Sequence, residues 1–384
     1  MPGHLAQDDR SDGAGNRVND TITSSDSQRP SFFGLDPATL ASHCGEWDMP
    51  GHTADQLCQW IYQKGVIDPD GMTNISSRNR QRLPELLQLG EARIHRNQDS
   101  NDGTRKLLLE WPPRRSGAGS LELLHDVQQT ECVMIPSGQR RTACVSSQVG
   151  CPVGCRFCAS GLEGLDGNLT TARIVEQVWR LQQLPGLDRI TNIVFMGMGE
   201  PLANYAAVTS AIRTINADWA FNISARRITV STVGLPTAIR KLVDFEIPVT
   251  LALSLHAPND QLRREIIPWA EYATIEELLD ACDEYFRKTG REVTLEYILL
   301  GGVNDQPEHA RELANLAGRL RSNINLIRYN EVESLPYRRP ESADVHQFQS
   351  ILLKGGVNTH IRASRGRDIA AACGQLRQEA STED

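Results

Sequence analysis

The stretch that most constrains this chain is Gly150-Cys-Pro-Val-Gly-Cys-Arg-Phe-Cys-Ala, in which Cys151, Cys155 and Cys158 form a C-x3-C-x2-C triplet. Three thiolates at this spacing can ligate three irons of a [4Fe–4S] cluster and leave the fourth iron without a protein ligand. An iron left open in this way can chelate a small molecule. A structural zinc site is the competing reading of the triplet. Zinc, however, prefers four ligands arranged as two pairs, and no second C-x-x-C or H-x-H pair accompanies these cysteines.

The remaining composition narrows the setting. Nine cysteines without a charged-then-apolar leader point to a reducing compartment, where thiols serve metals and catalysis more often than disulfides. The expected location is the cytoplasm, and no stretch is long and apolar enough to cross a bilayer. A formal net charge of -8 over 384 residues argues against a protein that coats nucleic acid indiscriminately. Local basic faces are left to Arg140-Arg141, Arg226-Arg227, Arg338-Arg339 and the run Arg362, Arg365, Arg367.

Along the chain, residues 1–31 are polar and glycine-rich, with too little apolar surface to offset ordering, and read as a disordered tail. Residues 32–94 read as a small helical domain, with Leu57, Trp60 and Ile61 at helical spacing. Residues 95–143 read as a β-rich linker, and 377–384 as a polar tail. Between them, 144–376 alternates helix and strand, which predicts a mostly parallel sheet wrapped by helices. Six strand candidates start near residues 193, 227, 249, 293, 324 and 359; with one more before the cysteines they suit an α/β partial (β/α) barrel. Active sites of such barrels gather at the C-terminal strand ends, which picks out Gly199-Glu200, Ser231-Thr232, Ser254-Leu255-His256 and Asn330. Thr274 with Glu277, closed by Gly290, predicts a capped helix.

The triplet spacing is that of the radical S-adenosylmethionine enzymes. An ordered set of segments resembles, more specifically, the RlmN/Cfr family of radical S-adenosylmethionine methyltransferases acting on adenine in RNA. The set comprises Cys144-Val-Ser-Ser-Gln-Val-Gly-Cys151, Met196-Gly-Met-Gly-Glu-Pro-Leu202, Ser254-Leu-His-Ala-Pro-Asn-Asp260, Val303-Asn-Asp305, Asn325-Leu-Ile327 and Arg365-Gly-Arg-Asp-Ile-Ala-Ala-Ala-Cys-Gly-Gln-Leu376. The resemblance runs from about residue 33 to 376.

It implies a radical S-adenosylmethionine barrel holding a [4Fe–4S] cluster on Cys151, Cys155 and Cys158, with S-adenosylmethionine contacted by Gly199, Glu200, Ser231, Ser254, Leu255, His256 and Asn330. Carbon 2 of adenine is electron-poor and cannot attack a sulfonium methyl group, so a carbon radical must be brought to it. In the family a cysteine is first methylated by displacement, and a hydrogen is then removed from its thioether methyl by a radical from a second cofactor molecule. The resulting methylene radical adds to the base. Cys373 matches the methyl-carrying cysteine, Cys144 the thiol that resolves the protein–RNA adduct by forming a disulfide, and Glu131 the base that takes the carbon-2 proton. The implied partners are 23S ribosomal RNA and transfer RNA, with an electron donor such as flavodoxin or ferredoxin.

Two segments depart from the pattern. Asn325-Leu-Ile-Arg-Tyr-Asn-Glu carries Arg328-Tyr329 and no proline after Asn330, closer to the related carbon-8 enzymes, and Pro268-Trp-Ala-Glu-Tyr differs from the usual continuation. Carbon 2 is the expected target, supported by Met72-Thr-Asn-Ile75 and Asn101-Asp-Gly-Thr-Arg105, and carbon 8 is the alternative. A non-catalytic iron–sulfur or zinc protein that binds RNA is the reading from a different class.

Overall fold

A computed structural model describes residues 29–112 and 128–376. Residues 1–28 of the expected tail, and the expected tail at 377–384, lie outside the described residues. The N-terminal helices are α1 (Pro37–Glu46), α2 (Thr53–Cys58) and α3 (Ser77–Leu86), and α2 runs on into a π-helical turn at Gln59–Gln63. The spacing read in the sequence buries Leu57 and Ile61 fully. Phe33 packs its ring 5.8 Å from Trp179, Tyr62 lies 5.2 Å from Phe221, and the Trp179 indole donates to the Ile61 carbonyl at 2.8 Å. These helices therefore share one continuous apolar core with the sheet.

The antiparallel strands β1 (Arg93–Asp99), β2 (Arg105–Trp111), β3 (Gln128–Ser137) and β4 (Arg140–Cys144) pair in sequence order. A small hairpin follows, β5 (Gln148–Gly150) with β6 (Leu165–Asn168). Then come β7 (Asn192–Phe195), β8 (Ile228–Thr232), β9 (Thr250–Ser254), β10 (Val293–Leu299), β11 (Ser322–Arg328) and β12 (Thr359–Arg362). The sheet order is β1-β2-β3-β4-β7-β8-β9-β10-β11-β12, parallel from β4 onward. The segment read as a β-rich linker is thus hydrogen-bonded into the same sheet as the barrel strands.

The crossovers are α4 (Thr171–Gln182), α5 (Tyr205–Asn216), α6 (Pro236–Val243), α7 (Asp260–Ile266) with α8 (Ile275–Thr289), α9 (Pro307–Ala317) and α10 (Ser342–Lys354). They make the architecture the partial (β/α) barrel expected from the alternation. Helices cover the sheet, so β10 is buried along nearly its whole length, as parallel strands between layers are. α8 shows how local sequence sets an element's ends. The Thr274 hydroxyl accepts from Glu277 N–H at 3.3 Å, the Glu277 carboxylate accepts from Thr274 N–H at 2.8 Å, and Gly290 closes the helix at φ 67°. Such a cap is worth about 1 kcal/mol.

Parallel strands bring their C-terminal ends to one rim, and the cysteine loop is held there by the β5–β6 hairpin. Cys151 N–H donates to the Gly164 carbonyl at 2.8 Å across the base of the loop. Gly150 sits at φ 71°, and a Cβ there would lie 2.1 Å from that same carbonyl oxygen. Only glycine closes the loop this tightly.

Candidate active site

Cys151, Cys155 and Cys158 line one cleft, with about 830 Å³ of empty space, at the C-terminal rim of the barrel. The three thiols influence one another electrostatically, and burial raises the pKa of each, that of Cys151 to about 12. Among the described residues no three His, Cys, Asp or Glu side chains converge as ligands of one ion would. Thiolates on one zinc stand within about 4 Å of one another, whereas a cluster distributes them over three irons. Their surroundings are apolar, with Val153, Phe157, Val233 and Ile298 packed around them. The buried Arg263 guanidinium lies within electrostatic reach of Cys155, and its hydrogen bonds go to the carbonyls of Leu255, Val233 and Ser254. Three thiols on a tight loop, apolar packing around them and a buried cation suit an anionic iron–sulfur group.

Gly199, Glu200, Ser231, Ser254 and His256 line the same cleft. Gly199 is at φ 100°, and a Cβ there would meet Gln148 Cβ at 2.6 Å, so the Met196–Glu200 segment packs directly on the strand leading into the cysteine loop. The Ser231 and Ser254 hydroxyls lie 3.2 Å apart on adjacent strands. His256 takes a left-handed backbone, φ 59°, and its Nδ1 accepts from Ile298 N–H at 3.1 Å. That bond places the ring proton on Nε2. Burial, reinforced by Arg263, lowers the His256 pKa to about 3, so the ring is neutral at working pH and offers a donor.

Glu200 accepts from Leu202 N–H at 2.9 Å and from Val233 N–H at 2.7 Å, yet burial outweighs these bonds and lifts its pKa to about 7. A carboxyl raised in the folded state keeps its proton there while the unfolded chain has already lost it. Stability from this group therefore falls as pH rises from the ordinary value of 4.5 to about 7 and is flat above. Glu200→Gln cannot ionise, so its stability relative to the parent should improve by roughly 3 kcal/mol across that window. Urea unfolding at a series of pH values checks this; a difference that does not change with pH would contradict it.

A second cleft adjoins the first and shares Met196, Ile327, Arg362 and Cys373 with it. Cys144, at the end of β4, lines the second cleft beside Cys373. Its thiol is pushed up to about 12 by burial and by Cys373, with Arg362 opposing. Arg362 reaches Met196 Sδ at 3.3 Å and interacts with Cys373, Cys144 and the buried Glu296. The sequence groups Arg362 with Arg365 and Arg367 as a basic face; β12 instead places it in the lining of both clefts.

Three residues chosen from sequence lie elsewhere. The Leu255 side chain is fully buried in the main core, and its carbonyl is held by Arg263. Asn330 lines the second cleft, donating to the Cys373 carbonyl at 3.4 Å and accepting from Arg339 at 3.1 Å. Glu131 is buried on β3 and lines neither cleft; its carboxylate is 2.6 Å from Lys106 Nζ on β2. By strand alternation it shares a face with Val133 and Ile135, which cluster with Cys144 and Ala371. Glu296, Arg362 and Lys106 were missed as site residues. Glu296 is flagged only by being an acid inside a hydrophobic strand.

Comparison with known proteins follows the same outline. The radical SAM superfamily model matches residues 145–314, and the model described as the ribosomal RNA large subunit methyltransferase N-terminal domain matches 31–89. A Rhodopirellula baltica protein named as a probable dual-specificity RNA methyltransferase RlmN is 46% identical over 326 residues, 85% of this chain and 84% of its own. A protein of the same name from Thermosynechococcus vestitus is 43% identical, covering 90% of this chain and 98% of that one. The crystal structure of a radical SAM methyltransferase from Sphaerobacter thermophilus superposes with a TM-score of 0.84 at 39% identity, over 91% of this chain and all of that one.

Proposed function

The chain belongs to the RlmN family of RNA methyltransferases, and from that premise we propose that it methylates carbon 2 of adenine in 23S ribosomal RNA and in transfer RNA. The observation that carries this reading is the position of Cys373, which lines both the cleft of the three cysteines and the adjoining cleft that holds Cys144. One sulfur can thus face a cofactor on one side and a base on the other.

Cys151, Cys155 and Cys158 would hold the [4Fe–4S] cluster, and Gly199, Glu200, Ser231, Ser254 and His256 would hold S-adenosylmethionine. When bound, these groups supply an electrophilic methyl group and a hydrogen-abstracting carbon radical. Cys373 gives up its thiol proton and accepts the methyl group as a thioether, with S-adenosylhomocysteine as the leaving group, and the thioether methyl then gives up one hydrogen atom. Arg362 supplies positive charge near the Cys373 sulfur. Once the methylene carbon is joined to the base, the adduct's unpaired electron passes back to the one-electron carrier, and the family pattern gives Glu131 the carbon-2 proton, for which its carboxylate has to part from Lys106 because it lines neither cleft at rest. The Cys144 thiol then loses its proton and attacks the Cys373 sulfur. A sulfur–sulfur bond forms, the carbon–sulfur bond breaks, and its electron pair stays on the methylene carbon, which picks up a proton to become the product methyl group. Reduction of the disulfide resets the pair, and a one-electron donor of the flavodoxin or ferredoxin class serves the cluster.

Asn330 at the Cys373 carbonyl orients the segment that carries this thiol. Arg328-Tyr329 before it is the feature that favours carbon 8 as a second reading. Chromatographic mass spectrometry of nucleosides from RNA treated with the enzyme decides between them: 2-methyladenosine is expected, and 8-methyladenosine alone would overturn the assignment.

A further inference from the structure

The turn between β1 and β2, which carries Asn101-Asp-Gly-Thr-Arg105, has no part in the chemistry above. It holds the segment that bears Cys373. One Asp102 oxygen accepts from Thr104 N–H within the turn at 3.0 Å, and the other accepts from Gly366 N–H at 3.1 Å. In the opposite direction, Asp368 accepts from the Ser100 hydroxyl at 2.6 Å and from Asn101 N–H at 3.0 Å. Just past the turn, Lys106 donates to the Ala370 carbonyl at 3.3 Å while its ammonium pairs with Glu131. Burial opposes ionisation of Asp102, but hydrogen bonds from Thr104, Gly366 and Ser100 outweigh it and hold the carboxyl at about 2, so the bond to Gly366 is charge-assisted at neutral pH.

The backbone of the held segment is shaped for this contact. Gly366 has φ 66°, and a Cβ there would lie 2.9 Å from Thr104 Cγ2 and 2.8 Å from Ala371 Cβ. Ala370 is left-handed at φ 49°, a conformation that residues with a side chain avoid unless their surroundings impose it. The other end of the segment is tied to the cysteine loop, where Ala159 N–H donates to the Gly374 carbonyl at 2.8 Å and the Ser160 hydroxyl to the Leu376 carbonyl at 2.6 Å. Cys373 therefore sits on a strap fastened at both ends, one of them more than 250 residues away in sequence.

We propose that the β1–β2 turn is a clamp that sets the position of Cys373, with Asp102 and Asp368 as its positioning residues. The clamp matters because a sulfur that must face two clefts in turn tolerates little misplacement. This inference rests on Cys373 being the methyl carrier.

The test uses the full, cluster-loaded chain. Asp102→Ala combined with Asp368→Ala should speed amide hydrogen exchange over residues 366–372 by about tenfold or more, and slow methylation of Cys373 at saturating S-adenosylmethionine by a similar factor. Iron content and the KM for the cofactor should not change. Asp102→Asn with Asp368→Asn keeps one of the two acceptor oxygens at each site and should recover part of the rate. Gly366→Ala disturbs the same contact from the strap side and should reproduce both effects, so it decides the matter if the double alanine variant does not fold. Unchanged exchange, or faster exchange with a normal methylation rate, would overturn the clamp. If the parent enzyme carries no methyl group on Cys373, the carrier reading fails, and the exchange measurement alone then decides whether the turn holds the segment.

Discussion

Cys144→Ala is expected to accumulate protein covalently joined to RNA, whereas Cys373→Ala is expected to yield neither a methylated protein nor an adduct. The two thiols share a cleft but act at different points. Without Cys373 there is no sulfur to accept the methyl group, so nothing later can occur. Without Cys144 the methyl group is still installed and joined to the base, but no thiol attacks the Cys373 sulfur to break the carbon–sulfur bond. Turnover should fall to background in both variants. Denaturing gels with labelled RNA should show a shifted band for Cys144→Ala only, and peptide mass analysis should find methyl on Cys373 in that variant. An adduct in the Cys373 variant, or multiple turnover in either, would reverse the assignment.

Alanine at Cys151, Cys155 or Cys158 is expected to remove the iron–sulfur group altogether. Each thiol supplies the ligand of one iron, and the other groups lining the cleft are no replacements on the loop itself: Glu200 and His256 are engaged with backbone N–H groups, Glu296 accepts from Asn325, and Cys373 belongs to the C-terminal strap. Iron and sulfide should drop to background after anaerobic reconstitution, and release of 5′-deoxyadenosine should stop. The fold should survive, because the cysteine loop is closed by the β5–β6 hairpin through backbone bonds. Full iron loading with normal cofactor cleavage in any one variant would remove the cluster from this loop.

Features that depend on short spans of sequence were legible. The triplet, the strand candidates and the Thr274–Glu277 cap all follow from spacing or periodicity within about fifteen residues. The run Ser254-Leu255-His256 reads as one strip, and it does not show that the Leu255 side chain, just past β9, packs in the core while Ser254 and His256 line the cleft. Arg362 resembled its neighbours Arg365 and Arg367 because charge density along a chain carries no information about which way a strand faces. The Lys106–Glu131 pair depends on β2–β3 register, in which Leu108 opposes Glu131, and no local pattern encodes it. The ties between the β1–β2 turn and Gly366–Asp368 span more than 250 residues and are visible only once the sheet is assembled.

The central claim is that the methyl group reaches RNA by way of the Cys373 sulfur after losing a hydrogen. Supplying S-adenosylmethionine with a trideuterated methyl group and weighing the methylated adenosine tests it most directly. One deuterium is abstracted from the thioether, and the last hydrogen comes from a protonation, so the product should carry two deuteria and one ordinary hydrogen on its new methyl group. A product that retains all three deuteria would mean the methyl group was transferred intact, and would contradict the account.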